Sequence, residues 1–199
     1  MKTIAIIDYG LGNLRSVSKG IEKAGGKPVI TSDTREIAGA DGIILPGVGA
    51  FYEGMANLAS LQDVLIEVYG TVPILGICLG MQMMMDISEE QGIHKGIGLI
   101  PGVVRHFPEA KGVKIPHMGW NTLFFEQDDP LFSGIADESY VYFVHSYYAD
   151  TAPVYTLTST RYICRFASTI RNGTAWGVQF HPEKSGETGL AILRNFLAL

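Results

Sequence analysis

At 199 residues, 47% of them hydrophobic, the chain has the length for one well-filled α/β domain spanning 1–199 and is too short for two ordinary ones. A net charge of −5 without any Lys/Arg cluster argues against a nucleic-acid binder, which needs a basic face to neutralise phosphates, and leaves small-molecule chemistry. Two cysteines supply no disulfide framework, and MKTIAIIDYG reads as a first strand and not as a secretion signal, so a reducing, cytoplasmic compartment is expected.

In chain order, residues 3–8 form an apolar run of strand length, 14–24 carry a helical pattern, and 27–30 and 42–45 are again strand-like. Residues 58–69 read as a helix and 73–77 as a strand. Strand, helix, strand in this rhythm requires crossover connections, hence a mostly parallel twisted sheet flanked by helices. Residues 68–85 carry no charge over roughly the length of a membrane span, about 18 residues, but Gly70, Pro73, Gly76 and Gly80 break them into short pieces of core. From Gly102 the pattern turns β-branched and aromatic, and Asn172-Gly173 between two apolar runs signals a hairpin, so an antiparallel or mixed C-terminal extension of the sheet is expected. Residues 189–197 close the chain as a one-sided helix.

The chain is organised around VPILGICLGMQMMM, residues 72–85. An apolar strand meets a Leu-, Met- and Gln-rich helical run with no room for a loop, and Cys78 sits at the joint between Gly76 and Gly80. That is the arrangement of a nucleophile elbow with sulfur in place of oxygen: flanking glycines leave space for a strained turn, and the N–H groups of the following helix favour a thiolate. A buried filler cysteine is the plainer alternative for Cys78, and it is the preferred reading of Cys164 in RYICRFAS.

TAWGVQFHPEKSG near the end supplies an imidazole, His181, and a carboxylate two residues on, Glu183. In an extended segment both point to one side, so the acid can orient a base that takes the thiol proton and returns it to a leaving amine. Taken singly, His181 and Glu183 are ordinary surface residues; together with the elbow they form a Cys, His, Glu set. No second Cys or His sits at ligand spacing from Cys78, so a metal site is discounted. LPGVGAF, residues 45–51, follows a buried strand, and its backbone N–H groups around Val48 and Gly49 can form half of an oxyanion hole, with the N–H of Leu79 as the other half. Otherwise it is a tight turn.

GICLGMQ, LPGVGAF and GVQFHPE together resemble the class I glutamine amidotransferases, over almost the whole chain. DYGLGNLRSV, KIPHMGWN, YFVHSYY and HPEKSG narrow the resemblance to the glutaminase subunits of imidazole glycerol phosphate synthase, in histidine biosynthesis. The resemblance implies a flavodoxin-like sheet, no cofactor, and hydrolysis of L-glutamine through a cysteinyl thioester, the ammonia passing to a (β/α)₈ cyclase in a heterodimer. It makes Cys78 the nucleophile, His181 the acid and base, and Glu183 the residue that orients the imidazole. It further implies that Gln82 grips the substrate, that Ser146 and Tyr147 form a backbone wall beside it, that Val48 presents its N–H once the loop reorients, and that Asn13, Trp120, Tyr142 and Lys184 face the cyclase. A cysteine hydrolase acting alone, such as a peptidase on a related α/β scaffold, is the competing reading.

Overall fold

The computed structural model describes all 199 residues. Its first part runs β1 (Thr3–Ile7), α1 (Leu14–Ala24), β2 (Lys27–Thr31), α2 (Thr34–Ala38), β3 (Gly42–Leu45), α3 (Phe51–Leu58), α4 (Gln62–Val68), β4 (Ile74–Ile77) and α5 (Leu79–Met83). Its second part is mostly strand: β5 (Met85–Ser88), β6 (His94–Lys95), β7 (Ile100–His106), β8 (His117–Thr122), β9 (Phe124–Phe125), β10 (Tyr140–His145), β11 (Tyr147–Asp150), β12 (Thr156–Arg161), β13 (Arg165–Asn172) and β14 (Ala175–Val178), closed by α6 (Gly186–Ala198).

One mixed sheet of twelve strands has the order β2-β1-β3-β4-β14-β13-β11-β7-β5-β6, with β12 paired to β13 and β9 to β12. The pairs from β2 through to β14 are all parallel, and antiparallel pairing begins at β14–β13. The expected parallel sheet with a mixed extension is therefore present, and the change of direction falls one strand past β4. Strands β8 and β10 form a separate antiparallel ribbon.

Period-two alternation sends the side chains of β1 to two cores. Ala5 and Ile7 pack with Ile37, Leu65 and Met81 beneath α2, α4 and α5, while Ile4 and Ile6 pack with Val17, Ile21, Ile192 and Phe196 beneath α1 and α6. Phe143 of β10 joins the second core, so the ribbon is clamped on that face. Each such fully buried aliphatic or aromatic side chain contributes about 1.5–3 kcal/mol relative to exposure.

Several boundaries differ from the sequence reading. Residues 58–69 are not one helix: α3 and α4 meet at a 3₁₀ turn, Ala59–Leu61, which keeps Leu58, Leu61, Leu65 and Val68 all buried while re-aiming the chain. The helix after Cys78 stops after five residues because β5 begins at Met85. The hairpin pairs Asn172 with Ala175, so its two-residue turn is Gly173-Thr174, with Gly173 at the first central position at φ 54°. The short helix α2, with the Asp33 carboxylate accepting from the N–H groups of Arg35 and Glu36, was not anticipated. No helix is long and apolar enough to cross a membrane.

Candidate active site

In a doubly wound sheet, ligands bind beyond the carboxyl ends of the strands. Here β3, β4 and β14 end level with one another, Leu45 opposite Gly76 and Ile77 opposite Val178. Cys78 follows β4 directly, at φ 53° and ψ −108°, a conformation that costs a non-glycine residue on the order of 1–3 kcal/mol. It persists because both flanks are tied: the Cys78 N–H donates to the Val178 carbonyl (2.8 Å), and its own carbonyl accepts from Gln82 N–H (3.2 Å) in the first turn of α5. Gly80 makes the turn possible, since a Cβ there would sit 1.8 Å from the Leu45 carbonyl oxygen.

His181 lies three residues past β14. Its N–H donates to the Tyr142 carbonyl (2.9 Å), and its carbonyl accepts from the Ser185 hydroxyl (2.6 Å), which in turn accepts from Tyr142 N–H (2.9 Å). The imidazole Nδ1 meets Glu183 Oε1 at 2.8 Å, and both side chains are almost wholly buried. A carboxylate can only accept, so Nδ1 carries the hydrogen of the neutral ring and Nε2 is its free acceptor. The pair does not meet in the extended segment expected, because Pro182–Lys184 is a 3₁₀ turn that folds the carboxylate back onto the ring. Burial disfavours the imidazolium, but the adjacent Cys78 sulfur and the bond to Glu183 outweigh it and raise His181 to about 9. Nε2 is buried, with no hydrogen bond of good geometry inside the chain.

A cavity of about 410 Å³ brings together Val48, Gly49, Cys78, Leu79, Gln82, Ser146, Tyr147 and His181, with Glu183 behind the histidine. That is the size of a small-metabolite site. The loop carrying Val48 and Gly49 is held at its start by the Tyr9 hydroxyl, which donates to the Pro46 carbonyl (2.7 Å). Burial and the nearby Cys78 sulfur push the Tyr9 phenol up, so it stays a donor. The loop's far end is held by Glu90, whose Oε2 accepts from Phe51 N–H (2.6 Å) at the start of α3.

Glu90 also lines the cavity, as do Pro116, Val144 and His145, none of which the sequence reading singled out. The SEEQ string containing Glu90 carries no signal beyond acidity. Gln179 was missed too, although a polar residue inside the apolar run of GVQF is a usable signal; it is fully buried. Its Nε2 lies 3.7 Å from the Cys78 sulfur.

The four residues expected to face a partner lie outside the cavity. Trp120 of β8 is 56% exposed and pairs across the ribbon with Tyr142, their rings 6.1 Å apart. Lys184 is exposed on the 3₁₀ turn, two residues before Gly186, which borders the Trp120 ring. Asn13 opens α1, and that helix packs against the same turn through Gly20 and the Glu183 Cβ.

The family model for class I glutamine amidotransferases matches residues 5–199. The chain is similar to "Imidazole glycerol phosphate synthase subunit HisH" of Methanosarcina mazei, with 54% identity covering all of both chains, and equally to the protein of that name from Methanosarcina acetivorans. Among solved structures it resembles the structure of PurLQS from Thermotoga maritima, with a TM-score of 0.75 at 19% identity, covering 100% of this chain and 99% of that one; that likeness speaks to the fold alone.

Proposed function

The chain belongs to the class I glutamine amidotransferases, and from that premise we propose that Cys78, His181 and Glu183 are its working triad. It is a glutamine amidohydrolase, the glutaminase subunit of imidazole glycerol phosphate synthase, and serves histidine biosynthesis. The stand-alone peptidase reading is not favoured by relatives that are named as synthase subunits along their full length.

The observation that carries the triad is the convergence of the strained Cys78 and the Glu183-bonded His181 on one cavity. The Cys78 thiol passes its proton to His181 Nε2 as its sulfur attacks the γ-amide carbon of glutamine, and the N–H groups of Leu79 and of the Val48–Gly49 loop receive the oxyanion. His181 Nε2 hands its proton to the departing nitrogen, which leaves as ammonia, and a γ-glutamyl thioester remains. Water then gives a proton to Nε2 and its oxygen to the acyl carbon, releasing glutamate and the thiol. Gln82 keeps its Oε1 for substrate, because its Nε2 already donates to the Tyr147 carbonyl and to Gln179 Oε1 (3.0 Å each). The Glu90 carboxylate is the one acidic side chain lining the cavity and suits the substrate's α-ammonium.

Ammonia attacks only while unprotonated, which supports a docked acceptor enzyme. We assign that role to the (β/α)₈ cyclase, seated against Asn13, Trp120, Tyr142 and Lys184 in a heterodimer. One domain over 1–199 suits the continuous sheet, and a working thiol suits a cytoplasmic setting. Glutamate release by the purified chain, measured alone and then with the cyclase and its nucleotide ligand, tests the reading. Activity in the full mixture supports it; silence in both arms rejects the triad, and activity indifferent to the cyclase rejects the partner.

A further inference from the structure

The Cys78 sulfur has two polar neighbours besides the imidazole. On one side the Val144 carbonyl oxygen lies 3.9 Å away, an acceptor that suits the S–H of a thiol and opposes a thiolate. On the other, Gln179 Nε2 lies 3.7 Å away, a donor that suits the thiolate. A primary amide can present either its oxygen or its nitrogen, so the useful question is what decides which end of Gln179 faces the sulfur.

The deciding group is the Tyr147 carbonyl. As a backbone oxygen it can only accept, and it takes hydrogens from two sides: His145 Nδ1 at 2.8 Å and Gln82 Nε2 at 3.0 Å. It therefore forces Gln82 to place its NH₂ group there. The second N–H of that group points to Gln179 Oε1 at 3.0 Å. With its oxygen engaged, Gln179 has only its NH₂ to offer the sulfur. The polarity of the whole chain, Tyr147 carbonyl to Gln82 to Gln179 to Cys78, is set by the one member that cannot be reversed. Gln179 is completely buried, so water does not compete to reorient it.

We propose that Gln179 is a catalytic residue that donates a hydrogen bond to the Cys78 thiolate from behind the nucleophile, its orientation dictated by the Tyr147 carbonyl through Gln82. The proposal rests on Cys78 being the nucleophile. It gives a second, non-substrate task to Gln82 and a specific chemical task to a residue outside the triad. Removing the donor leaves the Val144 carbonyl unopposed, and the thiol form gains.

The test is the pH dependence of Cys78 alkylation by iodoacetamide in the purified chain, followed by mass spectrometry, with Cys164 as the internal control. In Gln179→Met, nearly the same shape without the donor, the Cys78 profile is expected to move about one unit to higher pH and the rate at pH 7 to fall about tenfold, since a hydrogen bond to a charged group exceeds a neutral one. Cys164 alkylation should not change. Gln82→Leu, which frees Gln179 to rotate, should move the profile in the same direction by less, and it serves where Gln179→Met does not fold. A merely space-filling role for Gln179 predicts a lower melting temperature with an unmoved profile, and a profile coincident with wild type in a folded variant overturns the proposal. The readout needs neither glutamine nor a partner: a Gln179-dependent profile in a protein that releases no glutamate keeps the proposal and rejects the glutaminase reading.

Discussion

Cys78 and His181 stand at the ends of neighbouring parallel strands, yet the two are held by different kinds of restraint. After β4 the constraint lies in the backbone: a positive φ at Cys78, and Gly80 pressed against the Leu45 carbonyl with no space for a methyl group. After β14 it lies in side-chain hydrogen bonds: Ser185 joins the His181 carbonyl to Tyr142 N–H, and Glu183 holds the ring. A nucleophile, the role proposed for Cys78, has to be presented at one point, so a rigid turn suits it. A base has to accept and return a proton, and hydrogen-bonded partners adjust to its charge where a backbone cannot.

Substitutions separate the two modes. Cys78→Ala should abolish glutamate release, a loss on the order of 10⁶-fold, without loosening the fold; surviving turnover would remove Cys78 from its role. Cys78→Gly should be as inactive, yet more stable than Cys78→Ala by about 1 kcal/mol, because glycine relieves the strain; equal melting temperatures would deny that the strain is real. Gly80→Ala should cost several kcal/mol, about 4 or more, in thermal unfolding, since the clash is with main chain and cannot rotate away.

On the histidine side the effects are graded. Glu183→Gln should lower turnover by about 10²-fold, less than loss of the nucleophile, since base and thiol remain. An unchanged rate would reduce Glu183 to scaffolding. Ser185→Ala should cost about 1–2 kcal/mol of stability and some activity through a displaced His181.

The smallest effect concerns pH. His181 is raised to about 9 in the folded protein against an ordinary value of 6.5, so its interactions with Cys78 and Glu183 stabilise fully below about pH 6.5 and are lost as the pH rises through 9. The gap in melting temperature between wild type and Glu183→Gln should therefore narrow from pH 6.5 to 9.5. His117 and His145 shift the other way: the burial that partners outweigh at His181 dominates here and lowers them to about 4 and about 3, so stability falls as the pH drops below 6.5. That acid slope should survive in Glu183→Gln.

What could be read from the chain follows the same division. The Cys78 turn is local, written in five consecutive residues, and so was visible in the sequence, as were His181 and Glu183 beside it in one string. The partners that complete the site are not local. Gln179 touches a sulfur 101 positions away, and Glu90 caps a helix 39 positions back, so no spacing rule points to either. Element boundaries failed where tertiary packing overrode pattern. The apolar spacing of residues 58–69 fits one helix, but the 3₁₀ turn at Ala59–Leu61 buries the same face in two pieces. The parallel half, one hydrophobic run per strand, was the easier to divide into elements; the pairing of β4 with β14, across most of the second half of the chain, had no signal at all.

That last pairing bears on how the protein is made. One flank of β4 is closed by β3, already synthesised, while the other waits for β14, whose first residue emerges about a hundred positions after Ile77. At 5–20 residues per second, β4 and the Cys78 that follows it spend on the order of 5–20 s on the ribosome with an open edge and without His181. A truncated or stalled chain therefore carries Cys78 without His181. Premature release yields an aggregation-prone fragment and not an unregulated glutaminase.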